Sequence, residues 1–414
     1  MSSDVAPMSC GRTKRPAGVA ATGRAWLWLM LLLALLTGAT VATAFWWSRS
    51  DPASGRIAAT ISVTSALGAD DVRGYARATA PRDFSFPRDH GPHTEFRTEW
   101  WYYTGNLRTR DGRHFGFQLT FFRNALRPEP VARDSDWRTT QVYLAHFALT
   151  DTSRGRFVAF ARSSREALGL AGAGAEPFHV WLEDWSVEGE AQTTLPMRLR
   201  AAEGGTAIDL VLASAKPVVL QGERGLSRKG PESGNASYYY SLTRMPARGT
   251  VRVDGESFAV EGLAWMDREW STSALSQDLV GWDWFALQLD DGRDVMFYQL
   301  RRADGSSDRF GAGMLVEADG TARPLRHDEI RIDVLATWRS PRSGVSYPAR
   351  WRLTLPSRDL LLELAPRVAD QELIVGPRYW EGAVTAQGMA NGRRLGGQGY
   401  VELVGYGESR RDGS

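Results

Sequence analysis

Phe86-Pro87-Arg88-Asp89-His90-Gly91-Pro92-His93, followed by Thr98-Glu99-Trp100-Trp101-Tyr102-Tyr103-Thr104-Gly105-Asn106-Leu107, decides the reading of this chain. A turn-rich entry bearing two histidines leads into an extended stretch. A strand with one buried face alternates apolar and polar residues. This one carries aromatic rings on both faces, so one side enters a core and the other meets something equally apolar. Antiparallel barrels and sandwiches built around an apolar ligand have that layout. So does a sandwich strand covered on both sides by protein, and the stretch alone leaves both open.

Strands and turns continue to the C-terminus. Asp111-Gly112 separates 100–107 from 113–122, and Asp291-Gly292 separates 282–289 from 293–300. Asp-Gly supplies the positive φ that a tight hairpin needs. The two hairpins resemble each other: Trp100-Trp101-Tyr102 answers to Trp282-Asp283-Trp284, and Gln118-Leu119 to Gln299-Leu300. A second pair supports a repeat. Tyr239-Tyr240 precedes 262–267, which ends Trp265-Met266-Asp267, as Tyr379-Trp380 precedes 397–402, which ends Tyr400-Val401-Glu402. The expectation is an all-β protein of two similar antiparallel barrel or sandwich domains, 84–275 and 276–408. Residues 162–174 and 271–278 are expected to hold short helices or lid-like loops, and 223–236 a loop bordering a cavity mouth.

The chain has 414 residues and a formal charge of +2, which excludes a basic nucleic-acid binder. Its outlier is 16 Trp, a residue suited to cores and ligand walls. Lysines number three: Lys14, Lys216 and Lys229. Arg12, Lys14, Arg15 and Arg24 precede an uncharged run over 25–48, the pattern of an export signal, with Ala42-Thr43-Ala44 as a small-residue cleavage site. The run is also long enough to span a bilayer if it is not cut. The expectation is an exported body, periplasmic or extracellular, free or anchored through 25–48, with 49–83 as linker. The single Cys10 lies within the leader, so the body has no cysteine nucleophile, thiolate ligand or disulfide.

Chemistry concentrates in 262–271. On a strand, Leu263, Trp265, Asp267 and Glu269 share one face, and Met266, Arg268 and Trp270 the other. Burial beside an indole raises a carboxyl pKa, and a protonated acid among aromatic faces suits protonation of an isolated C=C, followed by capture by water. The bland alternative is a solvated face whose acids pair with nearby arginines.

Taken in order, 86–107, Trp181-Leu182-Glu183-Asp184-Trp185-Ser186-Val187, 262–270 and 397–406 resemble the AttH/CrtC-type lipocalin-like family, which includes carotenoid 1,2-hydratase and kievitone hydratase. The resemblance runs over 84–406 and implies two lipocalin-like domains. In carotenoid hydratases of this type the acid is the Asp of a Tyr-x-Asp element, assisted by an upstream His-x-Trp. By resemblance the acid falls on Asp267, with Trp265 in the Tyr position and the His-x-Trp pair on Tyr238 and Tyr240. Tyr does not take up a proton at neutral pH as His does, so the resemblance implies the pocket more than the mechanism.

Three readings follow. The first is a binder of a hydrophobic, isoprenoid- or lipid-like molecule, lined by Trp101, Tyr103, Trp282, Trp284 and Glu269. The second is a hydratase acting on such a molecule through Asp267, Trp265, Tyr238 and Tyr240. The third is a carbohydrate-binding β-sandwich. No cofactor and no metal is expected. His90-x-x-His93, with His146 as a third candidate, lacks a full ligand set, and Asp89, His90, His93, Arg97 and Glu99 are expected to pin the entry segment. A serine-hydrolase Gly-x-Ser-x-Gly turn is absent.

Overall fold

The computed structural model describes residues 72–128, 139–191, 193–273, 275–276, 278–376 and 378–407. The expected leader over 1–48, and with it the export and anchor expectations, lies outside the described residues, as does most of the expected linker. From residue 75 the chain is already docked on the first domain. The Tyr75 hydroxyl donates to the Ala125 carbonyl at 3.1 Å, the Ala76 N–H to that of Glu95 at 2.9 Å, and Tyr238 to that of Ala80 at 2.8 Å. Among the described residues no helix is long and apolar enough to cross a membrane.

The first domain is a nearly closed barrel. Its strands are β1 (Thr98–Arg108), β2 (His114–Ala125), β3 (Gln141–Asp151), β4 (Arg156–Arg165), β5 (Ala171–Ala175), β6 (Phe178–Leu182) and β7 (Trp185–Gly189). They continue as β8 (Met197–Glu203), β9 (Thr206–Leu212), β10 (Val219–Leu220), β11 (Leu226–Arg228), β12 (Ala236–Val253) and β13 (Glu256–Ser271). The second domain is a half-barrel of β14 (Leu279–Leu289), β15 (Asp294–Arg302), β16 (Ala312–Val316), β17 (Ala322–Arg326) and β18 (Arg331–Arg339). β19 (Ser346–Leu355), β20 (Leu360–Pro366), β21 (Glu372–Ile374), β22 (Arg378–Ala390) and β23 (Arg393–Val404) complete it. Two expectations for loops are corrected: residues 162–165 continue β4, and the 223–236 loop contributes β11 to the edge of β12.

Strand order makes the repeat explicit. The first sheet runs β4-β3-β2-β1-β13-β12-β9-β8-β7-β6-β5, and the second β17-β16-β15-β14-β23-β22-β20-β19-β18. Strand for strand, β14 stands where β1 does, β23 where β13 does and β22 where β12 does. Gly112 (φ +90°) and Gly292 (φ +86°) turn the equivalent hairpins.

The two-faced strand is also explained. Trp101 and Tyr103, fully buried, enter the barrel core with Phe117, Phe121 and Phe147. Gly105 leaves Phe117 its place, since a Cβ there would lie 2.4 Å from the ring. Trp100 and Tyr102 point the other way, into a cluster with Tyr239, Trp265, Trp282, Trp284, Tyr298 and Tyr400. The outer faces of β1, β12 and β13 thus pack against those of β14, β15, β22 and β23. Polar contacts lock this seam: Lys216 Nζ to Asp294 at 2.8 Å, Gln288 to the Ala264 and Thr243 carbonyls, and Asn106 to that of Gly399. On the barrel's far side Asp89, His90, His93 and Glu99 anchor the entry segment. Trp101 Nε1 donates to the His90 carbonyl, and Arg123 and Arg268 hold the Glu99 carboxylate.

Candidate active site

In the seam, Asp267 accepts three hydrogen bonds: from Tyr239 to Oδ2 at 2.5 Å, and to Oδ1 from Ser241 at 2.6 Å and Trp265 Nε1 at 2.7 Å. Trp284 of the second domain donates to the Tyr239 oxygen at 3.2 Å, so one indole from each domain serves the group. The carboxyl is 4% exposed. Burial raises its pKa from 3.8 to about 7 against the pull of its three donors, and Glu269 adds to the rise. Ser241 and Tyr239 are hydroxyls, able to turn and accept once Asp267 carries a proton. The site can therefore serve either protonation state.

The duplication places a second acid opposite. Asp267 lies beside Tyr102 in the first sheet, as Glu402 lies beside Trp284 in the second. Glu402 accepts from Trp282 Nε1 at 2.9 Å, and burial, together with the charges of Asp267 and Glu269, raises it to about 7. Unlike Asp267, Glu402 is half-buried, as are Trp282, which bonds it, and Trp100, Leu279 and Phe310 of the same aromatic cluster. Glu402 is thus the less deeply buried of the two acids. Lys229 Nζ sits 3.2 Å from Glu269 and 3.9 Å above the Tyr298 ring. Burial opposes its charge, but Glu269 and Tyr298 more than offset this, and its pKa is raised.

The expected site residues separate into three groups. Asp267, Glu269, Trp265, Trp282 and Trp284 meet in the seam. Trp101 and Tyr103 do not; they are packed in the barrel core. Tyr238 and Tyr240 are also elsewhere, on the opposite face of β12. Tyr240 bonds His90 Nδ1 at 2.6 Å, and both rings pack around Trp270. The physical reason is a bulge. β12 and β13 pair as Val253↔Glu256 through Met245↔Ala264, then slip by one between Leu242 and Met245, giving Ser241↔Asp267 and Tyr239↔Glu269. Without the extra residue Tyr238 and Tyr240 would share the Asp267 face; the slip exchanges the faces. Tyr239, Ser241, Glu402 and Lys229 were not singled out from sequence. The repeat held the signal for Glu402, because its aromatic-x-acid element aligns with that of Asp267. His146 does not join His90 and His93, being bonded to Tyr379 at 2.8 Å. Among the described residues no cluster of three or more His, Cys, Asp or Glu is arranged to hold a metal.

The seam holds a small void at Trp265. A void bounded by Thr104, Trp265, Ala286, Gln288 and Tyr400 measures about 10 Å³, room for about one water. A wider cleft of about 470 Å³ lies across the sheet, floored by Phe84, Phe86, Val218 and Leu220 between Arg82 and Arg224. Its cations are paired, Arg82 with Asp89 and Arg224 with Asp83, and it holds none of the raised carboxyls. The two carboxyls raised to about 7 thus lie in the seam and not in the larger cleft.

Comparison with known proteins identifies the family and the fold. The AttH-like family matches residues 77–406. A crystal structure described as an AttH of Nitrosomonas europaea is 36% identical over 80% of this chain and 99% of that one, with a TM-score of 0.71. The dehydratase asqC of Emericella nidulans is 25% identical over 224 residues, half of this chain. Kievitone hydratase of Fusarium solani subsp. phaseoli is 22% identical over 214 residues. The chain spans 61% and 59% of the length of these two curated relatives.

Proposed function

Because the chain belongs to the AttH-like family, whose relatives here include a hydratase and a dehydratase, we propose that it binds a hydrophobic, isoprenoid- or lipid-like molecule in the seam and adds water to, or removes it from, an isolated C=C. The observation that carries this is the Asp267 carboxyl, buried in an aromatic cluster with Trp265, Trp284 and Tyr239 and half-protonated near neutral pH.

Beyond burial, Glu269 raises both acids and Asp267 raises Glu402, so each of the two titrates at about 7. The protonated Asp267 gives its proton to one alkene carbon, the π pair forming the C–H bond. The cation left on the neighbouring carbon lies against the faces of Trp265 and Trp284, which stabilise positive charge. Water entering at Glu402 forms the C–O bond and gives its proton to that carboxylate. Exchange through solvent returns the pair to its starting state, and the reverse order dehydrates an alcohol. A ligand reaches Asp267 by parting the half-buried side chains of the cluster: Trp100, Trp282, Leu279 and Phe310.

The test is incubation with isoprenoid polyenes in heavy-oxygen water. Label in a product alcohol, lost in Asp267→Asn while affinity stays within about threefold, supports the reading. Equal turnover by Asp267→Asn rejects it. Binding without turnover in the wild type leaves a carrier of the same molecules. The carbohydrate reading needs indoles on a shallow open surface, and Trp101, Trp265, Trp270 and Trp284 are all buried.

A further inference from the structure

Across the seam from Asp267 lies a second group of polar side chains that the reaction above does not use. His146, Thr120, Tyr102 and Asp267 stand side by side on neighbouring strands of the first sheet. Facing them on β22 are Tyr379 and Glu381, two residues apart on one face and about 6.5–7 Å from each other. Contacts here join the sheets: His146 Nδ1 with the Tyr379 hydroxyl at 2.8 Å, and Tyr102 donating to Glu381 Oε1. Gln118 reaches Tyr379 as well and donates to Thr120 at 2.5 Å.

Three atoms of this group are buried without a hydrogen-bond partner: His146 Nε2, Gln118 Oε1 and Glu381 Oε2. Their residues are 0%, 1% and 1% exposed. An unpaired buried polar atom costs about 1–3 kcal/mol, and buried polar atoms in folded proteins are nearly all paired. Three in one patch, beside a candidate active site, describe a place that expects oxygen or nitrogen from outside the chain.

We propose that His146, Gln118 and Glu381 form a subsite for an uncharged oxygen function of the ligand, a hydroxyl or a carbonyl. This rests on the reading of the seam as a hydrophobic binding site and adds to it the polar end of the molecule. The charge states agree. Burial lowers the His146 pKa to about 4, so the ring is neutral. Burial and the charge of Glu402 raise Glu381 well above the ordinary range, which favours the neutral acid, whose unpartnered Oε2 can offer a proton to an acceptor. Gln118 Oε1 accepts and His146 Nε2 does either, according to its tautomer. An alcohol uses both roles. A carboxylate meets neutral groups and the nearby acids Glu402 and Asp267, and is disfavoured.

The experiment compares farnesol, the hydrocarbon farnesene and farnesoate on the full chain, by quenching of tryptophan fluorescence. Farnesol is expected to bind most tightly and farnesoate most weakly. His146→Phe and Gln118→Leu are each expected to weaken farnesol about fivefold to tenfold and to leave farnesene unchanged. Glu381→Gln, which keeps a donor and an acceptor, retains farnesol. Should one variant fail to fold, the other carries the test. If all three probes bind but neither substitution affects farnesol, or both weaken farnesene equally, the subsite is overturned and the apolar seam stands. If none of the three binds, both fall.

Discussion

Asp267→Asn separates a buried, half-protonated acid from an ordinary one. Asn has the shape of the protonated carboxyl: its oxygen accepts from Ser241 and Trp265, and its amide faces the Tyr239 oxygen. In the fold the Asp267 pKa is raised from 3.8 to about 7. The folded state therefore binds this proton more tightly than the unfolded chain does. That stability is fully present below about pH 4 and is lost as the pH rises through about 7. Integrating the two titrations gives a loss of about 2–3 kcal/mol between pH 5 and pH 8. The variant lacks this loss, and relief of the charge on Glu402 adds in the same direction. Urea unfolding followed by tryptophan fluorescence is expected to show wild type losing about 2–3 kcal/mol to Asp267→Asn over that range. A gap constant within about 0.5 kcal/mol would mean that Asp267 is ionised at both pH values, and proton donation to an alkene would lose its basis.

Tyr239→Phe removes both the donor to Asp267 Oδ2 and the acceptor of the Trp284 N–H. It should cost about 1–3 kcal/mol in urea unfolding and move the Asp267 titration upward in difference infrared spectra. Tyr240→Phe, which loses the His90 contact on the other face, is expected to cost about 1 kcal/mol while leaving farnesene affinity unchanged within about twofold. Lys229→Met leaves the Glu269 carboxylate buried without its ammonium, at about 3–5 kcal/mol. Adding Glu269→Gln should recover most of that in a double-mutant cycle read by urea unfolding.

What could be read from the chain followed from signals confined to a few residues. Asp111-Gly112 and Asp291-Gly292 announce hairpins because positive φ restricts the residue type locally. The face carrying Trp265, Asp267 and Glu269 follows from the period of two along β13 alone. The partners of Asp267 did not follow, because they depend on pairing between two strands. A count back along β12 holds only while the ladder is regular, and the extra residue between Leu242 and Met245 reverses every side chain beyond it. Likewise, rings on both faces of β1 said that each side was covered, but not by what. Only the packing distinguishes Trp101 in the barrel from Trp100 and Tyr102 in the seam.

The duplication gives a reason for the proposed chemistry to lie between the domains and not inside either. A barrel interior filled by Trp101, Tyr103, Phe117 and Phe147 is already a stable core, and a carboxyl placed there would carry desolvation with no water to exchange its proton. On the outer face, each copy contributes an aromatic-x-acid element, and packing the copies together brings Asp267 near Glu402 while indoles close most of the space between. The copies then diverge in depth: Asp267 is closed in with three donors, whereas Glu402 remains in reach of solvent with one. One acid is thereby suited to hold a proton against an apolar surface and the other to trade it with water. Neither half-site alone offers that division, so a chain cut between β13 and β14 would be expected to lose the raised pKa of Asp267 even if the barrel remained folded.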